Sequence, residues 1–378
     1  MKLKRVLSVL IEPLLMASLA PANGAPSYGG FASDNVEYVG YVPFEVGTAT
    51  GANIIGKHMY VTSWKSFSIY DISDPAAPER LSTTPFGFKF ENENVASNGK
   101  IMVFSEELPQ NILHIWDVED KTNPVQIAEL EGAGGHTQTC VLKCKWLYGS
   151  EGYIVDIRNP AKPKLAKQNW IQMTGLQGGA HDVEEYKNGF IITSPINDAF
   201  QVIDVRKPLK PKVIAKGPHP DPSNWLFHSG KWPNKGKDRF ILMQGEQNFT
   251  PRCNDNTGPF QTWSTKGWKK SKTMKLVDTF RLGNGAYADG SPAVNGLGCS
   301  AHWFDEHRTF KNGGLVAVGY YEHGTRFLDV AKNGKIKEAG YFLPHAGSTS
   351  ASYWVNKKLV YSVDYTRGID ILKYNGKL

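Results

Sequence analysis

The sequence of 378 residues offers little that reads as helix. Apolar residues almost nowhere recur at the three-to-four-residue spacing of an amphipathic helix, which sets aside bundles and alternating βα folds. Apolar runs of membrane length are also missing. The most apolar stretch, Val6 to Leu19, is short and broken by Glu12-Pro13, so no membrane span is expected. There is no nucleic-acid motif, and aromatics do not interleave with the basic residues, so the net charge of +7 predicts no nucleic-acid partner. Neither a Ser-His-Asp arrangement nor a glycosidase carboxylate pair stands out, which ranks metal-free hydrolysis low. Cysteine is scarce, with four in the whole chain.

What is present points to strands and turns: 38 Gly, 22 Pro and an aromatic share of 12%. Lys2, Lys4 and Arg5 precede the apolar stretch, and Ala22-Asn23-Gly24 supplies small residues ahead of Ala25. Residues 1–25 therefore read as a signal peptide, and the protein is expected to be secreted, periplasmic or extracellular. An exported chain with four cysteines suggests two disulfides. Cys140 and Cys144 flank a tight turn and are expected to pair, as are Cys253 and Cys299, which bracket a long insertion.

One phrase recurs, an apolar strand ending in Asp and then a turn, often with Pro. It stands at Ser68-Ile69-Tyr70-Asp71, Ile115-Trp116-Asp117, Ile154-Val155-Asp156-Ile157-Arg158-Asn159-Pro160 and Val202-Ile203-Asp204-Val205-Arg206-Lys207-Pro208. Weaker copies end in Asp278, Asp329 and Asp370. The spacings are 46, 39, 48, 74, 51 and 41 residues, mostly the size of a four-stranded propeller blade. Seven copies predict an all-β, seven-bladed β-propeller over residues 26–378, with the long interval holding an insertion at about 247–298 over the channel mouth. The last copy lacks an outer strand, and Val36 to Val42 can supply it and close the ring. These phrases resemble the LVIVD-repeat family of secreted or surface bacterial propellers. The resemblance implies the fold and little about chemistry, because propellers host unrelated functions.

Within the repeat, His136, His181, His228 and His302 fall at the start of the innermost strand of four consecutive blades, three to six. First residues of innermost strands crowd at one mouth of the channel, and imidazole suits Fe, Cu, Zn or Ni. The four are therefore candidate metal ligands, with Fe or Cu favoured and Zn allowed. Glu91, Glu93 and Glu184 are candidates for orienting them. Loops at the same mouth carry Trp64, Glu106, Glu107, Glu246 and Glu322, together with His323, Tyr365 and Arg367, the last three taken as candidate catalytic residues. Four histidines on a seven-bladed propeller are similar to the iron centre of carotenoid-cleaving oxygenases, though those enzymes' sequence motifs are absent. The expectation is a monomeric, metal-dependent oxidoreductase acting on a small-molecule substrate in the channel mouth. A metal-dependent hydrolase or lyase and a non-catalytic binding or surface-scaffold propeller are the alternatives.

Overall fold

The computed structural model describes residues 29–42, 49–87, 92–247, 253, 257–283 and 297–378. The expected leader and Glu91 lie outside the described residues. Seven antiparallel sheets follow one another along the chain, each wound from an innermost to an outermost strand, and form the seven-bladed propeller. Blade one runs from Ala49–Ile55 to Glu79–Pro85, blade two from Ala96–Ser97 to Val125–Glu131, and blade three from Gln138–Val141 to Lys164–Asn169. Blade four starts at Ala180–Lys187, blade five at Leu226–Lys231, blade six at Phe304–Glu306 and blade seven at Thr349–Trp354. Helix among the described residues is confined to the short turns Trp170–Thr174, Pro233–Gly236 and Trp268–Ser271.

The recurring Asp has a local cause. At the end of the third strand its carboxylate caps the following turn, accepting the backbone N–H two residues on. The distances are 2.7 Å for Asp71, 2.9 Å for Asp117, 3.1 Å for Asp156 and 3.0 Å for Asp204. In the Asp-x-Arg copies the guanidinium folds back onto the same carboxylate, at 2.5 Å for Arg158 and 2.6 Å for Arg206. It then lies over an aromatic ring of the neighbouring strand, Trp146 or Phe190. The fifth copy is out of register. Asp278 sits on the fourth strand of its blade, Lys275–Phe280, and the third strand is Phe260–Ser264, which ends in Ser. Asp278 instead accepts from Lys335 Nζ and the Ile336 N–H of the next blade. Residues 260–280, expected to belong to an insertion over the mouth, are thus two outer strands of blade five.

Neighbouring blades are joined by seven apolar clusters. The Tyr60–Phe67–Phe104 cluster joins blades one and two, and the Phe240–Phe260–Phe304 cluster joins five and six. The cluster of Met59, Val61, Tyr361 and Ile369 joins blade one to blade seven, so the core runs round the whole ring. Closure occurs as expected: Val36–Val42 pairs antiparallel with Gly368–Tyr374. Gly30–Ala32 adds a fifth strand to blade six, a contribution not foreseen. Both expected disulfides form, Cys140–Cys144 and Cys253–Cys299. Peptide mapping without reduction is expected to recover these two pairings, and a crossed pairing would contradict them.

Two outcomes follow for the closing blade. Deleting residues 36–42 removes the outer strand and the buried Val36 side chain. The unfolding midpoint is then expected to fall by on the order of 10 °C, with loss of monodispersity on size exclusion. Asp370, opposite Tyr41 across the closing pair, is held by Arg367 at 2.7 Å. Burial pushes its carboxyl up to about 7, with Arg367 opposing. The folded chain therefore holds this proton more tightly than the unfolded chain. The associated stability is complete below the usual carboxylate value near pH 4 and is lost as pH rises through about 7. In Asp370→Asn, urea midpoints measured from pH 4 to 8 are expected to fall less steeply with pH than in the native chain.

Candidate metal centre

Two of the histidines, His181 and His228, reach the axis because their inner strands are bulged where they start. In blade four Ala180 pairs with Pro195 and Asp182 with Ser194, which leaves His181 as the extra residue. In blade five Phe227 pairs with Gly245 and Ser229 with Gln244, which leaves His228. The same bulge recurs in blades seven and one, where it leaves Ser350 and Thr50. A bulge re-aims one side chain without altering the rest of the ladder. His136 and His302 stand just ahead of their strands, Gln138–Val141 and Phe304–Glu306.

The four rings form an arc. Centroids are 4.6 Å apart for His136 and His181, 3.9 Å for His181 and His228, and 4.0 Å for His228 and His302. The all-histidine cage anticipated from the repeat positions is not what they build. Among the described residues, each candidate ligand group of this cluster contains two histidines and a glutamate. Glu93, expected only to orient the imidazoles, lies among them. Its Oε2 is 3.2 Å from His228 Nε2 and 3.9 Å from His136 Nε2, and its Oε1 is 3.2 Å from His302 Nε2. Glu246 stands 3.8 Å from His228 Nε2 and 3.9 Å from His302 Nε2.

Glu93 is fixed by its own segment. The Asn92 carbonyl accepts from Thr62 Oγ1 at 2.7 Å, and Asn94 Nδ2 donates to Asp182 Oδ1 at 2.8 Å. Gly51 lets blade one pass close, since a Cβ there would lie 2.0 Å from the Glu93 carbonyl oxygen. On the carboxylate, Trp303 Nε1 donates to Oε2 at 3.0 Å and the Tyr365 hydroxyl donates to Oε1. Tyr321 donates likewise to Glu246 Oε1, and its ring lies 4.5 Å from that of His302.

Burial sets the charges. Burial alone would push the Glu93 carboxyl up, but the charge of His302 and the hydrogen bonds from His228 and His302 outweigh it and hold it well below the usual range. Burial would lower His302, yet Glu93 prevails and raises it. His181 is driven well down by burial and then by His228 and His136, and His228 is lowered by burial and by His302. Neutral imidazole is the form that binds metal. His302 Nδ1 donates to the Ser350 carbonyl at 2.7 Å and His136 Nδ1 to Glu107 at 2.7 Å, so each turns Nε2 to the cluster. Two buried ring nitrogens, His181 Nδ1 and His228 Nδ1, have no hydrogen-bond partner among the described residues, while His228 Nε2 and His302 Nε2 face only carboxylates, each 3.2 Å from a Glu93 oxygen. Such atoms suit an ion of the Fe, Cu or Zn type.

The other sequence candidates fall elsewhere. His323 is packed against the Cys253–Cys299 disulfide, its Nδ1 3.6 Å from Cys253 Sγ, and the bonded sulfurs are not thiolate ligands. Arg367 is engaged by Asp370 and by the His345 carbonyl in the closing blade. Tyr365 alone of the three candidate catalytic residues touches the cluster. Glu184 lies three residues below His181, in a lower layer with Lys231 and Asp305. There, with Glu93, Trp303 and Tyr353, it lines a cavity of about 310 Å³. Lys231 reaches Asp305 at 2.8 Å, and burial pushes the adjacent Glu306 carboxyl up to about 7. Tyr321 and Trp303 escaped the sequence reading. Tyr321 was findable, since it follows the second strand of blade six (Gly314–Gly319) much as Tyr365 follows that of blade seven (Leu359–Asp364).

Glu93→Ala is expected to lower stability by roughly 3–5 kcal/mol, because it leaves the buried His302 and His228 rings and two further buried donors without their partner. His136→Ala, partly open to solvent, is expected to cost about 1 kcal/mol or less. Urea unfolding of the two variants beside the native chain measures the difference.

No curated protein matches the chain in sequence. The fold is similar to the solved WD40 repeats of RRP9 (TM-score 0.59, 9% identity, 92% of this chain and 99% of that one). It is also similar to Raptor of Chaetomium thermophilum (0.59, 11%, covering 93% and 30%). A third likeness is to the propeller of Cps50 (Swd1) of Myceliophteria thermophila (0.58, 11%, covering 88% and 99%). At these identities the likeness is one of fold. The sequence signal is narrower and falls on blade one, where residues 46–82 match the LVIVD repeat family.

Proposed function

We propose that the chain is an exported, metal-dependent oxidoreductase whose His/Glu cluster at the channel mouth acts on a small molecule. The observation that carries this reading is the convergence of buried imidazole nitrogens on one buried carboxylate, His228 and His302 each 3.2 Å from a Glu93 oxygen and His136 3.9 Å from it. His136, His181, His228 and His302, with Glu93 and Glu246, would hold the ion. Imidazole and carboxylate together favour Fe or Cu and also accept Zn. A redox-active ion there would supply electron transfer to or from the substrate. The protein contributes a buried site, two phenols hydrogen-bonded to the ligating carboxylates, and an adjoining cavity of about 310 Å³. Tyr365 is the side chain best placed to pass a proton to or from Glu93. Two disulfides and the leader-like residues 1–25 support export. With Zn in the same ligands, hydrolysis or lyase chemistry takes the place of redox chemistry.

A binding or scaffold propeller is the second reading. It is favoured by the His302–Glu93 ion pair, which balances charge without any metal. Elemental analysis separates the two. The native chain is expected to carry Fe, Cu or Zn, with occupancy falling at least tenfold in His228→Ala. His114→Ala and His219→Ala should leave occupancy unchanged, because His114 is bonded to Glu106 and His219 is packed on Trp225. A folded native chain that takes up none of these metals would establish the scaffold reading.

A further inference from the structure

One ion does not account for the arrangement of ligands. A first-row ion with nitrogen ligands at ~2.0–2.2 Å needs all its ligand atoms within about 3–4 Å of one another. The four imidazoles are instead strung along an arc, each close to its neighbour. Ligand atoms within 4.8 Å of one another divide into Glu93 with His136 and His181, and Glu93 with His228 and His302. Glu93 is the only residue the two triads share. Its oxygens reach both triads: Oε1 faces His302, and Oε2 faces His136 of one triad as well as His228 of the other. Trp303 holds Oε2 and Tyr365 holds Oε1, so each oxygen has a donor of its own fixing its direction.

From this division we propose that the channel mouth is a two-metal centre bridged by the Glu93 carboxylate, which rests on the metal-centre reading given above. His136 and His181 hold one ion. His228 and His302 hold the other, with Glu246 as its further ligand, since both Glu246 oxygens stand 3.8 and 3.9 Å from those two Nε2 atoms. Each pair contains one imidazole aimed from behind, His136 by Glu107 and His302 by the Ser350 carbonyl. Paired ions ~3.5–4 Å apart are a spacing that a carboxylate bridge spans. The mononuclear rival is the middle group of His181, His228 and Glu246, which leaves His136 and His302 without a metal. The side of the arc at His136 is the more open, its side chain 24% exposed against 1% for His302. Substrate therefore meets the His136–His181 ion first.

The test uses the whole exported chain, stripped with EDTA and loaded with Cu(II) alone, with copper per chain counted by elemental analysis. Two equivalents are expected in the native chain, and one in His136→Ala and in His302→Ala. In electron paramagnetic resonance the native pair is expected to show much less signal than its copper content, through coupling across the carboxylate. His136→Ala is expected to restore the full signal of an isolated ion. Glu93→Gln keeps the shape of the bridge and weakens it; should that variant misfold by circular dichroism, the native stoichiometry and coupling still decide. One equivalent in the native chain, unchanged by His136→Ala, would overturn the two-metal centre and leave a single-ion enzyme standing. Two equivalents with full uncoupled signal would overturn the bridge. No bound copper, and none of iron or zinc on the same protocol, would overturn this inference together with the proposed function.

Discussion

The molecule depends on one pairing, that of Val36–Val42 with Gly368–Tyr374. The first six blades each have four strands consecutive in the chain, blade six adding Gly30–Ala32 outside them, and would stack as an open arc. The seventh takes its outer strand from the opposite end of the chain, which removes a sheet edge and brings blade one against blade seven. The apolar cluster of Met59, Val61, Tyr361 and Ile369 then completes the circle of inter-blade cores. Only a closed circle forces the innermost strands to converge on an axis. The geometry of the channel mouth is thus a consequence of an edge pairing at the rim.

Convergence brings backbones together, but it does not aim side chains. In a regular strand alternate residues face opposite sides, and a histidine added to an inner strand has an even chance of pointing into a blade. The bulges at His181 and His228 decide the direction, and the same bulge in blades one and seven presents Thr50 and Ser350 instead. The backbone device is therefore a property of the repeat, and chemistry enters by the residue placed on it. Blades three to six received histidine, while the blades on the other side received hydroxyls that serve the ring: Ser350 Oγ donates to the Thr50 carbonyl at 2.6 Å. This asymmetry lines one side of the mouth with imidazoles and the other with hydroxyls.

Much of this was legible in the sequence for a physical reason. The Asp that ends the third strand of blades one to four caps a turn, and a capping residue sits at a fixed offset from the strand it follows, so its spacing counts blades. Where the cap is absent the count slips: blade five ends its third strand in Ser264, and Asp278, serving Lys335 of the next blade, took its place in the reading. The histidines were legible because each falls at or just ahead of the start of an inner strand, at one offset from repeat to repeat. Glu93 was legible as present and misjudged in role. Its blade has an inner strand of two residues, Ala96–Ser97, and the segment before it is irregular, so nothing in the pattern tells how far it reaches. Tyr321 and Trp303 belong to no repeated phrase, and their importance comes only from the atoms they touch.

The charge balance at the mouth gives the last step. A buried carboxylate is tolerated only with a partner, and Glu93 has three kinds: an indole N–H, a phenol and imidazoles. The first two are neutral and stay in place whatever the imidazoles do. The carboxylate is therefore held in position by donors that do not depend on the charge of the imidazoles. Four imidazoles and two carboxylates in one arc are costly to bury, and the fold meets that cost with neutral donors, an indole and two phenols, aimed at the two carboxylates.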